Sequence, residues 1–260
     1  MRLHHRLDGP EDAPVLVLSS SLGTTLELWD ANVGALAERC RVLRYDHRGH
    51  GSSPVPPGPY GVEELGRDVL ELLGELELGR VSFCGISLGG AVGLWLAATA
   101  PERLDRLVVA CSSARFGPSE SWLERAATVR AEGVTAISEA VVGRWFTPAL
   151  TSADPGLVDR FRRMLEATPA EGYAACCEAI AGWGFEARLG EVSVPTLVVS
   201  AAQDPATPPE HGRVIADGVP GARLAIVEGA AHLVNVERPD EFARLVLSHI
   251  GTGRRVGEPA

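Results

Sequence analysis

The sequence predicts an α/β fold: a mostly parallel central sheet, flanked by helices, with a helical cap inserted into it. Three observations carry the prediction. Short apolar runs alternate with segments of helical periodicity, the pattern of a parallel sheet covered by helices. A glycine-rich turn, Gly85-Ile86-Ser87-Leu88-Gly89-Gly90, falls between one such run and one such helix. The alternation stops between 117 and 188, where only helical patterns occur, and then resumes. A chain of 260 residues has room for one large domain with an insertion, since ~150 residues per domain is a soft expectation. The expected organisation is a core over 1–116 and 189–250, a cap over 117–188 and a flexible tail over 251–260.

In chain order, residues 15–18 form the first apolar run of strand length, followed by a Ser/Gly turn and a helix beginning near Trp29. Residues 42–45 read as the next strand, ending in Asp46-His47-Arg48-Gly49-His50-Gly51-Ser52-Ser53. Val62, Leu65, Val69, Leu72, Leu73 and Leu76 recur at helical spacing. A strand at 81–84, a helix at 91–100 stopped by Pro101, and a strand at 107–111 follow. Inside the insertion, helical patterns cover 120–131, 134–145, 157–167 and 171–181. Beyond it come a strand at 196–200, a helix after Pro208-Pro209, a strand over 223–227 and a last helix over 239–250. The final Gly/Arg-rich residues are expected to fray.

Composition excludes several functions. Hydrophobic residues make up 45% and charged residues 22%, a globular balance that speaks against disorder. Acidic residues outnumber basic ones 34 to 24, and the net charge of −10 would repel nucleic acid. Every basic residue is Arg, so Schiff-base chemistry and a phosphate-loop lysine are excluded. No apolar run reaches the ~18 residues of a membrane span, and the N-terminus lacks the apolar region of a signal peptide. Five Cys without C-x-x-C spacing argue against a disulfide framework or a zinc site; Cys176 and Cys177 read as small core residues. A soluble, cytoplasmic protein is expected.

The glycine-rich turn carries the chemistry. It fits G-x-S-x-G between strand and helix, where a sharp turn would raise the Ser87 hydroxyl above the C-terminal edge of the sheet. Crowding in such a turn favours residues without Cβ at Gly85 and Gly89. The plain alternative is a glycine-rich nucleotide loop, but a dinucleotide turn wants Gly where Ser87 stands. A serine nucleophile needs an acid and then a His downstream, in that order. Of the three downstream His, 211 and 249 fall in helices and read as solvated, whereas His232 lies in a small-residue loop after the last strand. Asp204 follows the 196–200 strand; alone it would be an ordinary turn residue before Pro205. Ser87, Asp204 and His232, ordered this way at strand ends, read as a catalytic triad. An oxyanion needs preorganised N–H donors, each worth about 3–4 kcal/mol. The candidates are the amides of Leu88 and of Leu22, the latter in a loop that could also be only a polar turn. The segment 46–53 could in principle chelate, but no second cluster completes a metal site. It reads as a structural turn in which Asp46 and Arg48 brace neighbouring loops. Trp122, Trp145 and Trp183 are either helix–helix core or the roof of an apolar pocket.

These residues carry a family resemblance. The elbow G-I-S-L-G-G, the turn R-Y-D-H-R-G-H-G-S and the His loop resemble the α/β-hydrolases. The segments S-L-G-T-T-L-E-L-W, R-W-F-T, E-G-Y-A-A-C-C-E-A-I and D-P-A-T-P-P are similar, more narrowly, to the 3-oxoadipate enol-lactone hydrolases of aromatic-acid degradation. The resemblance spans residues 2–250. It implies an α/β-hydrolase fold, the triad and oxyanion roles above, and contact of Trp145 with substrate from the cap. It also implies a small lactone or ester substrate, with no metal or organic cofactor. Two places depart from the family: Ser20 stands where Asn is common, and Ala181-Gly182-Trp183-Gly184-Phe185 replaces a usually charged stretch. Competing readings are a general carboxylesterase, a cofactor-free perhydrolase and a ligand-binding protein of the same fold. The sequence leaves open the oligomeric state. It also leaves open which of Arg125, Arg130, Arg144, Arg160, Arg162 and Arg163 would meet a substrate carboxylate.

Overall fold

The computed structural model describes residues 1–251, so 252–260 of the expected tail lie outside the described residues. In chain order the core begins with β1 (His5–Asp8), β2 (Val15–Ser19), α1 (Asp30–Ala37), β3 (Arg41–Tyr45) and α2 (Val62–Glu75). It continues through β4 (Val81–Ile86), α3 (Leu88–Thr99) and β5 (Leu104–Ala110). Five helices follow: α4 (Ser119–Glu132), α5 (Thr135–Trp145), α6 (Pro148–Ala153), α7 (Pro155–Glu166) and α8 (Ala170–Ala181). The chain then returns to the sheet with β6 (Thr196–Ala201), α9 (Pro209–Gly218), β7 (Arg223–Val227), α10 (Val234–Glu237) and α11 (Pro239–Ile250).

The seven strands form one sheet in the order β1-β3-β2-β4-β5-β6-β7. Only the β1–β3 pair is antiparallel. The chain leaves β2 toward β3 and then crosses back to place β4 on the other side of β2. In open α/β sheets such a reversal opens a crevice at the C-terminal strand ends. Ser19 pairs with Gly85 in the β2–β4 register, so the loops after these two strands emerge side by side. β4 and β6 are buried along their whole length, which is why apolar runs marked them.

Three elements escaped the apolar pattern. β1 reads His-Arg-Leu-Asp and offers no alternation. It is held by backbone pairing and by the buried Arg44, whose guanidinium reaches Asp8 of β1 and Asp30 of α1, both at 2.9 Å. α6 is a short helix capped by the Thr147 hydroxyl, and α10 is a single turn. α3 begins at Leu88, three residues before the expected 91, because Gly89 and Gly90 belong to its first turn. His249 and His211 also differ from expectation. His249 is buried and donates from Nε2 to Pro195 O (3.1 Å), while His211 is half-buried. All five Cys are free and buried, with burial pushing the Cys177 thiol up to about 12.

The turn after β3 braces its neighbours, as read from the sequence. Arg48 makes a two-nitrogen contact with Asp68 of α2 at 2.6 and 2.7 Å. Asp46 accepts from Leu26 N (2.7 Å) and Ser52 N (3.0 Å). His50 donates from Nδ1 to Arg48 O (3.2 Å) and accepts the Gly23 N–H at Nε2 (2.9 Å), a neutral ring with both nitrogens used. His47 Nε2 donates to Ser20 O (3.1 Å). Burial, aided by His50, pushes the His47 ring down to about 3, and burial lowers His50 as well.

A ring that titrates lower when folded than when unfolded contributes its full stability above about pH 6.5 and loses it as pH falls toward the folded value. Each such proton weakens the fold by about 1.4 kcal/mol per pH unit in that window. Urea unfolding midpoints are therefore expected to fall between about pH 6.5 and about pH 4, and His47→Gln should flatten the decline. Midpoints that stay level over this range would show that these rings protonate freely in the folded state.

Candidate active site

Ser87 links β4 to α3 with φ 56° and ψ −116°, a conformation that costs a non-glycine residue about 1–3 kcal/mol. Its neighbours hold it there. The Ser87 N–H donates to Ala110 O of β5 (2.9 Å), and its carbonyl accepts from Gly90 N (2.9 Å) and the Ser112 hydroxyl (2.7 Å). A Cβ on Gly85 would stand 2.0 Å from Gly89 O, and one on Gly89 would stand 2.2 Å from Ser19 O. Both glycines are therefore required by close backbone approach, the crowding expected from the motif. Gly89 N–H also donates to Ser20 O (3.1 Å), which ties the turn to the loop after β2.

Asp204 and His232 come from the loops after β6 and β7 and are both buried. His232 Nδ1 lies 2.8 Å from Asp204 Oδ2, leaving Nε2 as the free ring nitrogen. The carboxylate also accepts from the Thr207 hydroxyl (2.6 Å), Thr207 N (3.0 Å) and Ala206 N (2.8 Å). Burial opposes its ionisation, but the His232 ring and the Thr207 donors prevail and push its carboxyl down to about 2. Ser87 and His232 line one cavity. Among the described residues no hydrogen bond joins the Ser87 hydroxyl to the ring; in ligand-free sites such contacts are commonly long.

The amides of Leu22 and Leu88 have no acceptor among the described residues. Leu88 opens α3, where the first N–H groups lack intrahelical partners. Leu22 lines the cavity, in a loop pinned by Gly23 to His50 and by the Trp29 Nε1–H donated to Ser20 Oγ (3.0 Å).

The cavity measures about 190 Å³, smaller than the ~300–1,000 Å³ of sites for drug-sized ligands, and so suits a compact molecule. Trp122, Trp145 and Val141 supply apolar wall, and Arg125, Arg144 and Tyr173 polar wall. The alternatives left open for the tryptophans divide: Trp122 and Trp145 face the cavity, whereas Trp183 stacks on Phe185 at 4.8 Å and donates to Ser113 O (2.8 Å). Two further residues support the site. Thr207 had a visible signal in D-P-A-T, since an Asp commonly accepts from donors two or three residues on. Glu237 had none. Its buried carboxylate accepts the Ala231 N–H beside His232 and, from Thr147 at the N-cap of α6, both the N–H (3.0 Å) and the hydroxyl (2.7 Å).

A family model described as the alpha/beta hydrolase fold matches residues 14–239. The chain belongs to the α/β-hydrolase family. It is 39% identical over 244 residues to 3-oxoadipate enol-lactonase 2 of Acinetobacter baylyi, covering 94% of this chain and 91% of that protein. The enol-lactonase structure from Burkholderia xenovorans LB400 superposes with a TM-score of 0.93 at 42% identity, over 95% of this chain and 96% of that one. A hydrolase structure from Pseudomonas aeruginosa PA01 gives the same TM-score at 49% identity, over 96% and 94% of the two chains. In this α/β-hydrolase the family match takes in the elbow, the Asp204 loop and the His232 loop.

Thr207→Val keeps the side-chain shape but removes the hydroxyl donor to a buried carboxylate. It is expected to lower stability in urea unfolding by about 1.5–3 kcal/mol, with Thr207→Ser recovering most of the loss. Equal stability of all three proteins would mean that the two backbone donors suffice for Asp204.

Proposed function

We propose that this enzyme is a serine hydrolase that opens a lactone, with 3-oxoadipate enol-lactone as substrate and 3-oxoadipate as product. The observation that carries the chemistry is the convergence of Ser87, His232 and Leu22 on one small cavity, with Asp204 held to the His232 ring behind it and the unpaired Leu88 N–H next in chain to Ser87. The identity of the lactone rests on the near full-length similarity to a relative named for that activity. The helices over 117–188 serve as the cap, and Trp145 contacts the substrate from it. Among the described residues no helix is long and apolar enough to cross a membrane. A small dissolved substrate and a cytoplasmic location fit this reading.

In the proposed mechanism His232 Nε2 takes the proton from Ser87 Oγ as that oxygen attacks the lactone carbonyl. The tetrahedral oxyanion lies against the Leu22 and Leu88 amides. Its collapse breaks the ring C–O bond, and His232 returns the proton to the departing enol oxygen, which stays tethered through the acyl chain. Water, deprotonated by His232, then attacks the acyl-enzyme and releases Ser87 with its proton restored. The free enol tautomerises to the ketone. Asp204 holds the Nδ1–H tautomer and stabilises the imidazolium without accepting its proton, consistent with a carboxyl pushed down to about 2. Water is the sole co-reactant.

Ser87→Ala is expected to lower kcat by about 10⁶ and His232→Ala by a similar factor, with Asp204→Asn nearer 10⁴. The Ser87/His232 double variant should be no slower than either single one, because the groups act as a unit. Retention of a tenth of the activity by Ser87→Ala would end the acyl-enzyme mechanism.

Trp145→Ala should raise KM and lower kcat/KM for the enol-lactone far more than for a small activated ester that barely reaches the cap. Equal losses would make Trp145 a packing residue. A native preference for neutral esters over the lactone would make the protein a general carboxylesterase.

A further inference from the structure

Of the six arginines on helices α4–α8, four are engaged away from the cavity. Arg130 pairs with Glu171 (2.8 Å) and Glu178, Arg162 and Arg163 pair with Asp159, and the exposed Arg160 lies over Phe161. Arg125 of α4 and Arg144 of α5 differ. Both are half-buried and line the cavity that holds Ser87 and His232. Neither forms an ion pair with a carboxylate among the described residues, and no Asp or Glu lines the cavity.

This is an expensive arrangement. Two cations stand close together without a counter-ion: burial and the neighbouring Arg125 both push Arg144 down. The chain is rich in carboxylates, yet none among the described residues lines this cavity or pairs with either arginine. The geometry also keeps the donors available. The Arg125 guanidinium lies 4.4 Å over the Trp122 ring, a contact that occupies its face; one in-plane donor serves the Tyr173 hydroxyl and the fork has further N–H groups for a ligand. Arg144 spends its Nε on Ala140 O (3.2 Å), leaving its terminal nitrogens. The buried Tyr173 hydroxyl completes this side, with both cations acting on it.

We propose that Arg125 and Arg144 form an anion subsite at the cap end of the cavity, which selects lactones and esters bearing a free carboxylate remote from the reacting carbonyl. The inference deepens the serine-hydrolase reading and rests on it for the word substrate. The N–H groups of Leu22 and Leu88 serve the reacting carbonyl and cannot also neutralise a distant charge. A net charge of −10 repels an anionic substrate at long range, so the compensating cations must lie inside the site. A guanidinium fork matches the two oxygens of a carboxylate, and the second cation shares the charge.

Two measurements test the subsite. The first needs no turnover: glutarate binding to Ser87→Ala is measured by calorimetry, with and without Arg125→Gln and Arg144→Gln. The double replacement should weaken binding at least about tenfold, the scale of one lost charge-assisted hydrogen bond. Unchanged affinity would overturn the proposal. The second compares kcat/KM for 4-nitrophenyl hydrogen glutarate and for the neutral 4-nitrophenyl pentanoate. The ratio should favour the charged ester in the native protein and fall about tenfold to a hundredfold in the double variant. An unaltered ratio would make the two arginines packing residues. If the double variant does not fold, the single replacements carry both measurements, each with part of the effect. Failure of the native protein to hydrolyse any ester or lactone would sink the serine-hydrolase reading, while calorimetry would still decide the subsite.

Discussion

The backbone of Ser87, held at φ 56°, is the constraint around which the site is arranged. A single residue cannot sustain that conformation by itself, and here the surroundings determine it from several directions. β5 supplies the carbonyl of Ala110, Ser112 supplies a hydroxyl, and the backbone of Ser19 presses on Gly89 too closely for any side chain. The strain of about 1–3 kcal/mol is thus spread across β2, β4 and β5, which are adjacent in the sheet. Because the loop after β2 leans on this turn, the two amides proposed for the oxyanion are positioned by one packing event.

The outer loops are fixed by a different device. Asp46, Asp204 and Glu237 are buried carboxylates, and each accepts N–H groups from a loop that has no regular pairing of its own. Charge-assisted hydrogen bonds of this kind are roughly twice as strong as neutral ones, which suits them to holding irregular backbone. Asp46 holds the chain after the β2 loop, Asp204 holds its own loop and orients the His232 ring, and Glu237 joins the His232 loop to Thr147. The last of these means that the start of α6 and the imidazole loop share a support, although Thr147 and Glu237 are far apart in sequence.

The sheet and the elbow were legible because their signals are local. Strands buried on both faces must be apolar throughout, and a crowded turn must lack Cβ atoms at Gly85 and Gly89. β1 was not legible, since an edge strand held by backbone pairing and by Arg44 needs no apolar pattern. The start of α3 is hidden in the sequence because Gly89 and Gly90, demanded by tertiary crowding, look like a loop. Thr207 lies within the D-P-A-T-P-P segment that the resemblance quoted, yet its donation to Asp204 becomes visible only with the carboxylate placed. Glu237 and the choice among six arginines depend on which helix faces which loop, and no spacing rule reports that. His249 shows the same limit, as its ring finds Pro195 across the fold.

The absence of lysine and the burial of every cysteine have a joint consequence. An activated lactone is an acylating agent, able to modify any strong side-chain nucleophile that it meets. This chain offers no lysine amine, and its five thiols are buried, with burial making several of them much weaker acids than a free thiol. A reactive ester approaching the protein therefore finds few competing sites of side-chain acylation. The same composition that looks unremarkable in a residue count leaves the chain with few strong side-chain nucleophiles.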